Sequence, residues 1–336
     1  MGAYIRKRIL LGFIVLFGVV TITFLIARII PSDPAAKWVG SRATQQQIEN
    51  ARVELGLDKP LVIQFARYVA QLIKGDLGYS LRTHQPITKE LAGFIPATLE
   101  LVLLSFGLAV LIGIPLGIYS AKMKDKWLDH ISRLFSIGAV SLPTFWVALF
   151  FQLVFYNYLG ILPLGGRVST QTTILYDLPK ITGMLLFDSA ITGQWDIFID
   201  AFKHIVLPGI TVALYPIGLV ARMTRSALLE ILNEDYITAV RSYGLAESRI
   251  LWIFALKNTL GPTAIVLTLS LGYTLVNTFL VEAIFSWPGL GNYVATSVVT
   301  LDYPAIMGVT IFSAICYILL NLAADIMIAL DPRVRL

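Results

Sequence analysis

The chain has 336 residues, of which 14 % are charged and 57 % hydrophobic, and its 26 basic and 21 acidic side chains leave a net charge of +5. A soluble domain carries about 25 % charged residues, so this composition excludes a water-soluble globule, and with it a disordered, collagenous or coiled-coil chain. The single cysteine, Cys316, excludes intramolecular disulfides and cysteine-rich metal sites.

In chain order, six stretches lack Asp, Glu, Lys and Arg: Ile9–Ala27, Leu101–Ala121, Leu134–Gly166, His204–Ala221, Asn258–Val281 and Tyr303–Ala324. Each approaches or exceeds the roughly 20 residues that cross a bilayer. The first is longer than a secretory h-region, and no small-residue cleavage site follows it, so it reads as a retained anchor. Between spans 1 and 2 the chain turns polar. There Thr44 to Gly56 reads as a capped helix, with Thr44 as N-cap and Gln47 in the capping-box position, and Gly75-Asp76-Leu77-Gly78 reads as a turn. The third stretch reads as one span plus an exit segment ending in Leu162-Pro163-Leu164-Gly165-Gly166. Outer loop Ile161–Lys203 is long enough to be a surface. A seventh uncharged stretch, Ala283–Leu301, contains the helix breaker Trp287-Pro288-Gly289-Leu290-Gly291-Asn292 and reads as a loop or re-entrant segment. The organisation is therefore an anchor over 1–30, an outer segment over 31–95 and a five-span core over 96–336.

Charge placement sets the predicted sides. With six spans, 14 of the 26 basic residues fall on one side: Arg6, Lys7 and Arg8; Lys122, Lys124, Lys126 and Arg133; Arg222, Arg225, Arg241, Arg249 and Lys257; Arg333 and Arg335. The positive-inside rule makes that side cytoplasmic and puts both termini there.

Residues 222–261 form an unusually long connector on that side. Asn233 can cap a helix with Glu234 and Asp235 in its first turn, Arg241 in its last and Gly244 at its end. A second helix then runs from Glu247 to about Leu260, before Gly261-Pro262 opens span 5. Two short helices meeting at a glycine make a projecting knob, and Ala239 and Gly244 would let another protein's backbone approach. The alternative is an amphipathic connector lying on the headgroups.

Thr238-Ala239-Val240, Gly244 and Leu260-Gly261-Pro262 resemble the ATPase-docking loop of binding-protein-dependent ABC importer permeases, with Thr238 in place of Glu and Val240 in place of the second Ala. Arg28-Ile29-Ile30-Pro31-Ser32-Asp33-Pro34, Leu55-Gly56-Leu57-Asp58-Lys59-Pro60-Leu61, Gly75-Asp76-Leu77-Gly78-Tyr79-Ser80 and Leu330-Asp331-Pro332-Arg333-Val334-Arg335 fit the dipeptide/oligopeptide branch in the right order. Together with Tyr4-Ile5-Arg6-Lys7-Arg8 they make the chain resemble its B-type permease over nearly its whole length. The resemblance implies an all-α inner-membrane protein with the type I ABC importer permease fold. Its expected partners are a second, C-type permease chain, two ATP-binding subunits that carry ATP and Mg, and an extracytoplasmic binding protein. The coupling residues it implies are Thr238, Ala239, Val240, Arg241, Gly244, Leu245 and Pro262. Dipeptides or oligopeptides are the expected cargo, with nickel and oligosaccharides as alternatives in the same branch.

None of the eleven lysines is followed by Ser or Thr, so the chain lacks a phosphate-binding loop and no cofactor is expected on it. No Gly-x-Ser-x-Gly elbow supports a hydrolase, His84, His130 and His204 are scattered, and nothing points to nucleic acid. Glu100 and Glu282 read as span-end carboxylates reaching the headgroup layer. Asp325 is expected to pair with Arg222 or Arg225 as a gate or helix tie, and Asn277 and Asn321 either line the pathway or bond between helices. Readings of another class are an ion-coupled secondary transporter, which needs a midplane carboxylate, and a membrane-anchored assembly protein.

Overall fold

The computed structural model describes residues 2–29, 33–40 and 42–330. The middle of the 28–34 motif, Ile30-Pro31-Ser32, and the closing Asp331–Arg335, with Arg333 and Arg335, lie outside the described residues. Among those described the chain is helical, with one isolated antiparallel bridge between Tyr79 and Pro86.

Helix α1 (Gly2–Ile29) packs its lipid-length apolar run along the helix Tyr303–Leu330, with a smaller contact to Leu61–Ile73, rather than inside the bundle. Three short helices follow: α2 (Pro34–Val39), α3 (Gln45–Glu54) and α4 (Leu61–Ile73). Local chemistry fixes them. The Asp33 carboxylate accepts from Ala35 N and Ala36 N to start α2, and Thr44 and Gln47 form the expected capping box of α3. Gly56, at φ +66°, turns the chain out of α3 into a conformation that disfavours a side chain. Arg52 joins α3 to α2 through Asp33 at 2.7 Å. On α4, Phe65 and Tyr68 sit on Phe24 of α1, at ring separations of 5.2 and 5.8 Å.

The core is built on α5 (Ile87–Lys122), α10 (Trp195–Ile231), α12 (Glu247–Ile284) and α14 (Tyr303–Leu330). Between α5 and α10 lie α6 (Trp127–Ser141), α7 (Thr144–Tyr158), α8 (Thr170–Leu175) and α9 (Leu185–Ile191); α11 (Asp235–Ser242) precedes α12, and α13 (Leu290–Thr300) precedes α14. Helix α10, 37 residues and so about 55 Å long, is the centre against which α5, α6 and α12 pack. Glycines set the closeness: a Cβ on Gly117 of α5 would lie 2.6 Å from Ala221 O and 2.7 Å from Thr224 Cβ of α10.

Among the described residues, five helices are long and apolar enough to cross a membrane, and six spans result when the bent pair α6–α7 is counted as one. That third span is not continuous as the charge-free run suggests. Pro143 drives Leu142 out of the helical region, to ψ 132°, and α6 and α7 meet at 104°. The stretch Ala283–Leu301 breaks as expected at Ser286–Gly289, but its second half is the helix α13 rather than a loop. Helix α12 runs through Gly261-Pro262 without a break and carries a π-helical stretch over Ile250–Ala255, so the knob's second helix and span 5 are one element.

Candidate functional site

Three clusters of polar side chains stand out in the apolar bundle. The first is the knob. Helix α11 is held by fully buried Ile237, which joins Ile118 and Ala121 of α5, Leu228 and Ile231 of α10, and Ile250, Leu251 and Ala255 of α12 in one apolar core. Val240 and Leu245 pack against the same core. Val240 is thus an anchor on the inner face, while Thr238, Ala239 and Tyr243 are exposed, Tyr243 by 84 %. This accounts for the bulk at 240, which the packing needs, and leaves Tyr243 as the most exposed large apolar side chain of the knob, beside the less exposed Tyr236. The N-cap residue of α11 is Glu234, not Asn233, whose amide instead donates to Leu229 O at 3.0 Å. Gly244 takes φ +73°, which ends the helix and reverses the chain. Across that bend Arg241 meets Glu247 at 2.9 Å, and Asn258 Nδ2 donates to Tyr236 Oη at 2.7 Å. Pro262 lies farther along α12, within the helix and away from the bend.

The second cluster adjoins the knob core. Asp129 on α6 is fully buried and accepts from Arg225 of α10 through Nε at 2.7 Å and Nη2 at 2.8 Å. Ser120 Oγ of α5 donates to it at 2.6 Å and Asp125 N at 3.0 Å. Four donors satisfy both carboxylate oxygens, which is what a buried charge requires, and one residue thereby joins α5, α6 and α10. The expected Asp325 partnership is therefore corrected. Arg225 is taken by Asp129, Arg222 is exposed, and Asp325 accepts from Tyr4 Oη at 3.1 Å and pairs with Arg8 at 3.3 Å. Asp325 ties the anchor helix to α14 instead of acting within the core.

The third cluster is at the opposite end of the bundle. Glu100 and Glu282 are turned inward, with exposures of 6 % and 0 %, and do not reach outward as span-end carboxylates would. Glu100 meets Arg167 at 2.6 Å and accepts from Leu186 N at 2.6 Å. Glu282 accepts from Thr98 Oγ1 at 2.7 Å and from Gly291 N at 2.6 Å, while Leu290 N donates to Thr98 Oγ1. Gly289 is needed here because a Cβ would lie 2.4 Å from the Glu282 carboxylate. Buried Trp287 donates to Ala97 O at 2.9 Å, so the breaker segment is fastened to α5. Nearby, Asp302 accepts from Ser80 Oγ and from the backbone of Leu81, which docks the Gly75–Ser80 motif of the outer segment. Glu90 accepts from Thr83 and Tyr293. Burial, and then the bond to Glu90, push the Tyr293 phenol well up.

Asn277 bonds its own helix at Tyr273 O. It lies beside Tyr215 and Tyr273, whose rings are 4.4 Å apart, on an α12 face where Leu269, Tyr273, Val276 and Leu280 are exposed. Asn321 bonds Tyr317 O and lines the groove between α1 and α14, away from that face. Neither forms the interhelical bond, one of its two expected roles; each bonds within its own helix.

The family model described as binding-protein-dependent transport system inner membrane component matches residues 113–336, and the model for the N-terminal part of that membrane component matches residues 1–102. The chain is 45 % identical to the probable D,D-dipeptide transport system permease protein of Escherichia coli over 96 % of its length and 94 % of that protein. It is 38 % identical to the dipeptide transport system permease protein of Alkalihalophilus pseudofirmus over 100 % of both chains. It is 37 % identical to the di/tripeptide transport system permease protein of Pseudomonas aeruginosa over 100 % of this chain and 99 % of that one.

Proposed function

The chain belongs to the family of binding-protein-dependent transport system inner membrane components, and on that footing we propose a route by which it couples ATPase movement to transport. It is a multi-pass, all-α permease with the type I ABC importer fold, a transport subunit rather than an enzyme. Its cargo is a dipeptide or short peptide, a reading supported by the names of the relatives. The knob end faces the cytoplasm together with both termini, as the predicted basic asymmetry requires. Two ATP-binding subunits, which hold ATP and Mg, grip the knob of this chain and that of a second, C-type permease. A binding protein delivers cargo at the opposite end, where the outer segment and α8–α9 form the surface.

The observation that carries this reading is the seating of α11. Ile237 and Val240 weld its inner face, with Leu245 just past the bend, to α5, α10 and α12, while Thr238, Ala239 and the C-capping Tyr243 face outward. A partner gripping the outer face pulls on three core helices at once, and the Asp129–Arg225 pair passes the displacement to α6. The α12 face bearing Tyr273 and Asn277 meets the second permease and lines the pathway. The test is ATP-dependent uptake in vesicles containing this chain with its reconstituted partners. Dipeptides should compete best, ahead of longer peptides, nickel complexes and oligosaccharides. Uptake blocked by nickel complexes or oligosaccharides but not by dipeptides would refute the cargo, and uptake unaffected by Ala239→Asp would refute the docking face.

A further inference from the structure

Helix α4 carries more apolar surface than its contacts use. At 3.6 residues per turn, Gln64, Arg67, Gln71 and the capping Lys74 fall within about 80° of one another, and the rest of its circumference is apolar or aromatic. One apolar sector, with Phe65 and Tyr68, meets α1. A second sector holds Val62, Ala66, Val69 and Ile73, spaced i, i+4, i+7 and i+11. Val62 is 78 % exposed and Ile73 81 %, and no residue of α4 is fully buried. Packing on α1 accounts for the first sector and leaves the second without a partner.

The aromatic contacts fix how deep α4 lies and which way it is turned. From Arg8 to Arg28 helix α1 advances 20 residues, about 30 Å, the thickness of a bilayer's hydrocarbon core. Phe24 therefore lies about 6 Å, and Phe17 about 17 Å, inward from Arg28. The Phe65 ring meets both, at 6.1 Å from Phe17 and 5.2 Å from Phe24. Tyr68 stacks on Phe24 at 5.8 Å, and Gln64 borders the same cavity as Arg28. Gln64, Tyr68 and Phe65 follow one another around α4 and meet successively deeper levels of α1. The same rotation brings Val69, Val62, Ile73 and Ala66 next, toward the bilayer midplane, and leaves Arg67 and Gln71 on the headgroup side.

We propose that α4 is an interfacial helix immersed in the outer leaflet, with Val62, Ala66, Val69 and Ile73 against the acyl chains and Gln64, Arg67, Gln71 and Lys74 at the phosphate layer. Two observations identify the occupant of the apolar face as lipid. The face is continuous with the outer surface of α1, where Phe17 and Ile22 are exposed over the same depth. Its polar edge carries two cations, and no carboxylate occurs from Leu61 to Lys74, which suits a boundary with phosphate headgroups. The outer segment is then held at two points, to the leaflet through α4 and to the bundle through Ser80 and Asp302.

Spin labels on the transporter assembled with its partners in nanodiscs test this. Cys316→Ser supplies a cysteine-free chain, into which Val62→Cys, Ala66→Cys, Ile73→Cys and, for the polar edge, Arg67→Cys and Gln71→Cys are placed singly. Oxygen, which partitions into lipid, should relax the labels at positions 62, 66 and 73 several-fold more than a water-soluble nickel chelate does, at a depth of about 5–10 Å. Labels at positions 67 and 71 should show the reverse order. Should a labelled variant fail to assemble, a phospholipid with a diazirine on its acyl chain decides on the unaltered protein: photolysis should modify α4 at Val62, Ala66 or Ile73 as well as α1 at Phe13 or Phe17. Nickel access at positions 62 and 73 equal to that at 67 and 71 would place the face in water. Shielding of positions 62 and 73 from both reagents would place a protein partner on it, and adducts on α1 without adducts on α4 would place it away from acyl chains. Each of these three results would overturn the assignment.

Discussion

Asp129→Ala removes the only carboxylate joining α5, α6 and α10 among the described residues and leaves Arg225 without its two bonds. Breaking a buried ion pair from one side costs about 3–5 kcal/mol. Arg225 keeps 19 % of its side chain exposed, so water recovers part of its charge, and the low end of about 3 kcal/mol applies. Arg225→Ala leaves a carboxylate with no exposure at all, although Ser120 Oγ and Asp125 N still donate to it and Arg133 Nε stays 3.9 Å away; about 3 kcal/mol is expected. The double variant strands nothing and should lose less than the sum of the singles, by about 2–3 kcal/mol of coupling. The assay is a denaturant-unfolding cycle on the transporter assembled with its partners, read beside uptake per ATP hydrolysed. If the pair transmits the knob's displacement to α6, each single variant lowers uptake more than ATP turnover. Additive losses in the cycle, or uptake falling only in step with ATP turnover, would refute the tie and its role respectively.

Gly117→Ala places a Cβ 2.6 Å from Ala221 O, forcing α5 and α10 apart; the expected loss is about 1–3 kcal/mol, seen as a lower melting temperature. Gly244→Val meets φ +73° at the knob bend. It should cost about 1–2 kcal/mol locally and weaken co-purification of the ATP-binding subunits, whereas Arg241→Ala breaks a pair exposed on both sides and should change stability by under about 1 kcal/mol. Burial pushes the Asp188 carboxyl up, but donation from the Thr182 side chain and from the backbone of Thr182, Gly183 and Ile181 outweighs it and holds the group below the usual range. Its contribution is therefore complete above the unfolded value of about 3.9 and is lost as pH falls through the lower folded value. Melting curves should show an acid loss of stability that Asp188→Asn reduces, Asp200 and Asp129 being held low as well.

Local signals were legible in the sequence and long-range ones were not. Thr44, Gln47 and Gly56 define α3 because capping depends on residues three apart and on a turn that tolerates glycine. Spans followed from composition because lipid requires apolar length. The α6–α7 break had its own signal, Pro143, which restricts the residue before it, but charge-free length alone overrode it. Asp129 lies between Lys126 and Arg133 and looks like one more interfacial charge; its partner is 96 positions away, and only the α6–α10 packing brings the two together. Asp325 faced several arginines on the same predicted side, and the choice of Arg8 depends on α1 lying against α14 where Gly12 meets Ile318, with no room for a Cβ. Glu282 is answered by neutral donors, Thr98 and a backbone N–H, which no charge count detects.

The two ends of the bundle are held by different chemistry, and the difference bears on how a pull at the knob is used. At the knob end the fastening is an apolar core around Ile237, the buried Asp129–Arg225 pair and the exposed Arg241–Glu247 pair. Apolar packing is non-directional and can slide by small steps while staying buried. At the far end Glu282, Glu100, Asp302 and Asp188 each accept from backbone N–H groups, which fixes both distance and direction. Between them lie the 104° corner of α6–α7 and the π-helical stretch at Ala109–Gly113, where the regular i→i−4 ladder is already interrupted, with further π-helical stretches at Ile250–Ala255 in the knob core and at Gln152–Tyr158 on the outer side. A displacement entering at α11 therefore meets a yielding apolar joint first, irregular helix next and a directionally bonded cap last. Bending should concentrate at the interrupted ladders, with the outer cap moving as one piece.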